Sequence, residues 1–160
     1  MLNVNILGMI TGCHSALDYL KLTPGAQVIN MASATAIYGQ PELATYSATK
    51  FAVRGFTEAL DLEWSPLGVS VSDIWPTFVK TAMADEYGRI PSAKSLGIRL
   101  RPADVATAVW HSATRSPVFH TPHRTVGAQA AALALATRFG PAALTRWVVQ
   151  RLSMTASGGG

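Results

Sequence analysis

The chain has 160 residues, 49% hydrophobic and 14% charged, with 13 Gly, 9 Pro and one Cys. That length and apolar content suit one folded domain with a sizeable core, and exclude a disordered chain, a collagen-like repeat and a disulfide-stapled miniprotein. The net charge of +4 comes from scattered Lys and Arg, nowhere denser than Arg99-Leu100-Arg101 and without interleaved aromatics, which argues against a nucleic-acid partner.

Residues 4–21 are apolar at helical spacing and are stopped by Pro24-Gly25. Ala26–Met31 is a short, nearly continuous apolar run, the pattern of a strand buried on both faces in a parallel sheet. After a loop containing Gly39-Gln40-Pro41, a long helix is predicted from Leu43 to Trp64, ended by Ser65-Pro66-Leu67-Gly68. A second strand runs over Val69–Ile74 and stops at Trp75-Pro76. Residues 77–100 have no sustained period and read as a loop with one or two helical turns. Pro102-Ala103-Asp104 opens a helix to about Thr114, with Pro in the first turn, where its missing N–H costs nothing. A third strand is expected within Val118–Val126, then helices over Gly127–Phe139 and Pro141–Met154, and a floppy Gly-rich end from 156 to 160.

The alternation of helix and strand predicts an α/β fold with a parallel sheet and crossover helices. Few strands are visible for such a sheet, so the missing ones are expected to precede residue 1, with 1–155 the carboxy-terminal part of a single domain. The longest membrane candidate, Ala128–Ala136, is half of what a bilayer needs, and the first residues carry no basic leader. The single thiol, Cys13, makes no intrachain disulfide, which fits a reducing cytoplasm.

The strongest chemical signal is Thr45-Tyr46-Ser47-Ala48-Thr49-Lys50. Tyr46 and Lys50 are four apart on a helix and therefore one turn apart on one face. An ammonium beside a phenol favours the phenolate and draws it toward the range of a general acid/base. Taken alone, the pair reads more readily as a solvated helix face. Ser33 follows the carboxyl end of the first strand, where open α/β sheets bind ligands, and its hydroxyl could donate to a carbonyl oxygen. By itself such a serine reads as a cap or turn residue.

VINMAS, ending at Ser33, followed by YSATKFAVRGFTEALDLEWSPLGVSVSDIWP from Tyr46 to Pro76, resembles the short-chain dehydrogenase/reductase family over about residues 1–115. The resemblance implies a Rossmann-like doubly wound parallel sheet with its amino-terminal strands missing. It implies NAD(P)-dependent hydride transfer between nicotinamide and a carbonyl or secondary alcohol, with NAD or NADP unspecified. It assigns Tyr46 as general acid/base, Lys50 to the ribose hydroxyls, Ser33 to the carbonyl oxygen, and Asn5, within Asn5-Ile6-Leu7-Gly8, to a water relay toward Lys50. Pro76, Thr77, Val79 and Thr81 would line the nicotinamide, with Thr77 standing where the family usually has Gly. Residues 80–100 would form a substrate lid. The helices at 4–21 and 43–64 would pair two copies into a homo-oligomer.

The family's Gly-rich phosphate turn is missing: neither Gly-x-x-x-Gly-x-Gly nor Gly-x-Gly-x-x-Gly occurs. The alternative expectation is therefore a truncated, non-catalytic remnant that folds or works only with a partner. His120-Thr121-Pro122-His123 lacks helical ligand spacing, Pro122 breaks any helix and no carboxylate is expected nearby, so it reads as a surface loop; no metal is expected. Glu58, Asp61 and Glu63 read as the solvated face of the long helix. The apolar tail with Leu133, Leu135, Phe139 and Trp147 could pack on the sheet, close over a lipophilic substrate, or touch a membrane surface.

Overall fold

The computed structural model describes residues 1–82, 90–114 and 120–154. The helix expected from residue 4 begins one residue earlier, as a π-helical stretch, Asn3–Gly8, that runs unbroken into α1, Met9–Leu20. The wider turns of a π segment occur often at functional sites, and Asn5 lies on one. The remaining elements are β1 (Gln27–Met31), α2 (Ala44–Trp64), β2 (Ser70–Pro76), α3 (Pro91–Leu96), α4 (Pro102–Thr114), β3 (His123–Val126), α5 (Ala128–Phe139) and α6 (Ala142–Met154).

The strands form one parallel sheet in the order β1-β2-β3. Parallel neighbours need a crossover, which α2 supplies between β1 and β2 and α4 between β2 and β3. Every residue from Val71 to Pro76 is buried, so β2 is covered on both faces. Cys13 of α1 joins Leu60 and Trp64 of α2 and Val71 of β2 in one apolar cluster, while α4 lies against all three strands. Fully burying a side chain such as Val71 or Ile74 contributes about 1.5–3 kcal/mol. Asn30 crosses this layer, donating to the Thr57 hydroxyl at 3.0 Å and accepting from the Cys13 thiol at 3.8 Å. Burial pushes the Cys13 thiol pKa up, so it stays protonated.

The α/β parallel architecture agrees with the sequence reading, with three corrections. First, β2 does not stop before Trp75-Pro76 but continues through them, pairing Trp75 with Thr125 and Pro76 with Val126. Proline lacks only a donor, and as the last strand residue it interrupts no further rung. Second, the third strand falls within Val118–Val126 as expected but occupies only His123–Val126 of its described part, positions 118 and 119 lying outside the described residues. Third, His123 lies not in a surface loop but on β3, bonded to Asp73 and Glu58, whereas His120 is in an exposed loop as expected. Gly68 takes φ +76° to turn the chain from α2 into β2, a left-handed conformation that a Cβ would strain. The expected flexible end, 156–160, lies outside the described residues, as does 83–89 of the expected lid.

Candidate active site

The carboxyl ends of β1 and β2 open into a cavity of about 860 Å³. Ser33 follows β1, Pro76 ends β2, and Thr77, Val79 and Thr81 continue the wall; Tyr46 and Lys50 reach it from α2 and Asn5 from the π-helical stretch. All eight residues singled out from the sequence therefore line one cavity. Its remaining walls are largely apolar and include Leu43, Phe78, Leu96, Val105, Leu133 and Val148.

Short contacts fix the polar side. The Lys50 ammonium donates to the Met31 carbonyl at 2.8 Å and sits 5.5 Å from the centre of the Tyr46 ring. The one-turn spacing on α2 sets up this pairing, and β1 anchors the cation. Burial holds the Lys50 pKa below the usual lysine range. The Asn5 amide donates to the Thr49 hydroxyl at 3.1 Å, and that hydroxyl donates to the Tyr46 carbonyl at 2.7 Å. Asn5 is thus tied to the turn of α2 between Tyr46 and Lys50.

Ser33 does cap a turn: its oxygen accepts from the Thr35 amide at 3.2 Å. Its own proton points to the Pro76 carbonyl at 3.5 Å, the outer limit of a hydrogen bond. The hydroxyl can therefore redirect to an oxygen in the cavity at little cost.

Several participants escaped the sequence reading. Thr49 is fully buried and links Asn5 to α2; a threonine three residues after Tyr46, on the inward face, was the available signal. The Met31 carbonyl is a backbone group and leaves no side-chain signal. The histidine segment meets carboxylates from distant parts of the chain. His120 lies 2.9 Å from Asp61, which also accepts from the Val71 amide at 3.0 Å, so Asp61 is not simply solvated. His123, on β3, bonds the fully buried Asp73 at 2.9 Å and Glu58 at 2.8 Å, and stacks on Trp75 at 4.5 Å. Burial pulls the His123 pKa down, but its bonds to Asp73 and Glu58 outweigh that and leave it raised. Among the described residues, no three His, Cys, Asp or Glu side chains group as metal ligands.

The fold and the strand-end site define a class that sequence comparison bears out: the short chain dehydrogenase family model matches residues 1–90. The chain belongs to the short-chain dehydrogenase/reductase family. Among its relatives is a 3-alpha-(or 20-beta)-hydroxysteroid dehydrogenase of Mycobacterium tuberculosis, 32% identical over 121 residues, covering 76% of this chain and 46% of the relative. A 3-ketodihydrosphingosine reductase of Bacteroides thetaiotaomicron is 34% identical over 84 residues, 52% of this chain and 31% of that one. A short chain dehydrogenase from Burkholderia cenocepacia, solved in complex with NADP, superposes with a TM-score of 0.75 at 23% identity, over 91% of this chain and 56% of that one. The chain thus spans about half the length, or less, of the proteins it matches.

Proposed function

We propose that this chain is the catalytic part of an NAD(P)-dependent oxidoreductase that interconverts a carbonyl and a secondary alcohol on a small, lipophilic molecule in the cytoplasm. The observation that carries this reading is the convergence of Asn5, Ser33, Tyr46 and Lys50 on one cavity, with Lys50 anchored beside Tyr46. Tyr46 delivers a proton to the substrate oxygen in reduction and removes it in oxidation. Ser33 donates a hydrogen bond to the same oxygen. The Lys50 ammonium favours the tyrosinate, and Asn5 steadies the Tyr46–Lys50 turn and holds water at the cavity's inner end.

The donor set fits the nicotinamide-ribose end of a dinucleotide. Lys50 keeps two N–H groups beyond its bond to Met31. The buried Thr35 hydroxyl in the cavity wall has no hydrogen-bond partner among the described residues. Pro76, Thr77, Val79 and Thr81 would flank the ring, which supplies the hydride chemistry when bound. The apolar walls support a lipophilic substrate; the hydroxysteroid and ketosphingosine relatives act on such molecules by name. No helix among the described residues is long and apolar enough to cross a membrane. Leu7 before α1 and Phe51 and Leu62 on α2 are exposed, which supports pairing of two copies through these helices.

A second reading has its own support. The outer edge of β1 carries no strand among the described residues, and the sequence has no Gly-rich phosphate turn. The chain would then fold or act only beside a partner that supplies them. Titration of the purified chain with NADH and NADPH, followed by fluorescence, with Tyr46→Phe assayed beside it on a ketone panel, separates the two. Saturable binding and turnover lost in the Phe variant support the enzyme; no binding and a broad, non-cooperative melt support the partner-dependent remnant.

A further inference from the structure

Tyr46, Lys50, Arg54 and Glu58 follow one another at four-residue spacing along α2, each a turn beyond the last. The first two line the cavity, and the proposed chemistry leaves Arg54 without a part. Its guanidinium has one partner on its own helix, one on the turn after Ser33 and one on β2. Nε donates to Glu58 Oε1 at 2.9 Å, and Nη1 donates to the Ala36 carbonyl at 3.3 Å. The guanidinium carbon lies 5.2 Å from the centre of the buried Trp75 ring. The Glu58 oxygen that takes Nε also lies 2.8 Å from His123 Nε2, so β3 helps to hold the carboxylate in place.

An Arg–Glu pair one turn apart and more than a third exposed would, alone, be an ordinary surface contact. The second nitrogen makes the difference. Ala36 is fully buried and ends the short 3-10 turn Ala34–Ala36 that Ser33 caps. The Ser33 oxygen accepts from the Thr35 amide, and the Ala36 amide donates back to the Ser33 carbonyl at 2.9 Å. This one-turn unit therefore carries Ser33 at one end and the bond to Arg54 at the other. The hold of Ser33 itself on β2 is weak, its hydroxyl reaching the Pro76 carbonyl only at 3.5 Å. A guanidinium presents its donors as a planar fork, so Arg54 can bind Glu58 and the turn at once while resting on an aromatic ring. We propose that Arg54 is a positioning residue: it clamps the turn that carries Ser33 onto α2 and so fixes the Ser33 hydroxyl relative to Tyr46. It acts through Ser33, since it does not itself line the cavity. The clamp stands on structure alone, and its worth to turnover rests on the oxidoreductase function proposed above.

The test uses the full chain with Arg54→Met, which keeps the apolar stem and removes every donor, and Arg54→Lys, which keeps the charge beside Glu58 but not the fork. Amide hydrogen exchange, read by mass spectrometry, comes first and needs neither cofactor nor substrate. The expected result is about tenfold faster exchange of the Thr35, Ala36 and Ile37 amides in both variants, with β2 unchanged. Unchanged exchange at these three amides, or in Arg54→Lys an acceleration spread evenly over β1, α2 and β2, overturns the clamp. Turnover of a ketone panel with NADPH comes second. Arg54→Met should lower kcat about tenfold with KM little changed, a part of the roughly 10²- to 10³-fold cost of losing a donor to a developing oxyanion. On a Ser33→Ala background the same substitution should cost less than about twofold, because the hydroxyl it positions is gone. A full tenfold loss on that background overturns the positioning role. A wild-type chain that reduces no ketone refutes the oxidoreductase reading instead, and the exchange result then decides the clamp by itself.

Discussion

Replacing His123 with Phe keeps a ring over Trp75 and a good strand residue in β3, but removes both ring nitrogens from their carboxylates. Asp73 is fully buried and would lose its 2.9 Å partner. Breaking a buried pair from one side costs about 3–5 kcal/mol when both members are fully desolvated. His123 keeps 21% of its side chain exposed, so water and proton uptake by Asp73 soften the loss to about 3 kcal/mol. Glu58, nearly half exposed, adds little. The His123 pKa is raised in the fold, so the proton it holds stabilises the native state fully below its ordinary range, and that contribution fades as pH rises through the raised value. Burial raises the Asp73 pKa, so at acid pH a protonated Asp73 relieves the variant. The deficit should therefore peak near pH 6, set by the ordinary histidine value of about 6.5, and shrink on either side. Urea denaturation at that pH should show the 3 kcal/mol loss, a fall of roughly 6–12 °C in Tm for a chain of this size. Adding Asp73→Asn should restore at least about 1 kcal/mol, because the orphaned charge is gone. A single-variant loss under about 1 kcal/mol, or a double variant no more stable than the single, would refute the reasoning.

Three further outcomes follow from the site. Tyr46→Phe should lower turnover by about 10²- to 10⁴-fold, the usual worth of a positioned general acid, with little change in Tm; retained turnover would remove Tyr46 from the chemistry. Because burial lowers the Lys50 pKa, the alkaline limb of the rate profile should fall below the ordinary lysine range, and Lys50→Arg should move that limb upward, since guanidinium stays charged. An unmoved limb would mean that Lys50 does not set it. Thr49→Val keeps the shape but breaks the link from Asn5 to α2, and should cost about 1–2 kcal/mol in urea denaturation.

The helices and strands were legible because their signals are local: 3.6-residue spacing in α2, a nearly continuous apolar run in β1, and Pro or Gly at the ends. β1 is nonetheless not buried on both faces as that run suggested, since only Asn30 is buried and Met31 is exposed. The Tyr46–Lys50 pair was legible for the same reason, one helical turn being a sequence spacing. Asp73–His123 was not, because the partners are 50 residues apart and become neighbours only through the β2–β3 register. Lys50 to the Met31 carbonyl was hidden twice, by separation along the chain and by the acceptor being backbone. The end of β2 was misjudged because Pro76 was read as a stop, whereas a terminal rung tolerates a missing donor.

Four hydrogen bonds that hold the polar side of the site lie within residues 5 to 76: Asn5 to Thr49, Thr49 to Tyr46, Lys50 to Met31, Ser33 to Pro76. None of them needs a strand beyond β1. The geometry at the reacting end is therefore separable from the binding of a dinucleotide's far end, which in other members of this fold class rests on a Gly-rich turn that this sequence does not contain. On the proposed function this separation has a kinetic signature. A full dinucleotide normally outperforms its nicotinamide half because remote binding energy is spent at the reacting centre. For the 160-residue chain that advantage should vanish. Reduced nicotinamide mononucleotide should support reduction with a kcat/KM within about threefold of that for NADPH, a difference of less than 1 kcal/mol. Supplying a Gly-rich βαβ segment in trans from a relative should confer preference for the dinucleotide without changing the effect of Tyr46→Phe. A preference for NADPH of a hundredfold or more in the chain alone, about 2.7 kcal/mol, would show that it binds the adenosine end by another route and would refute the separation.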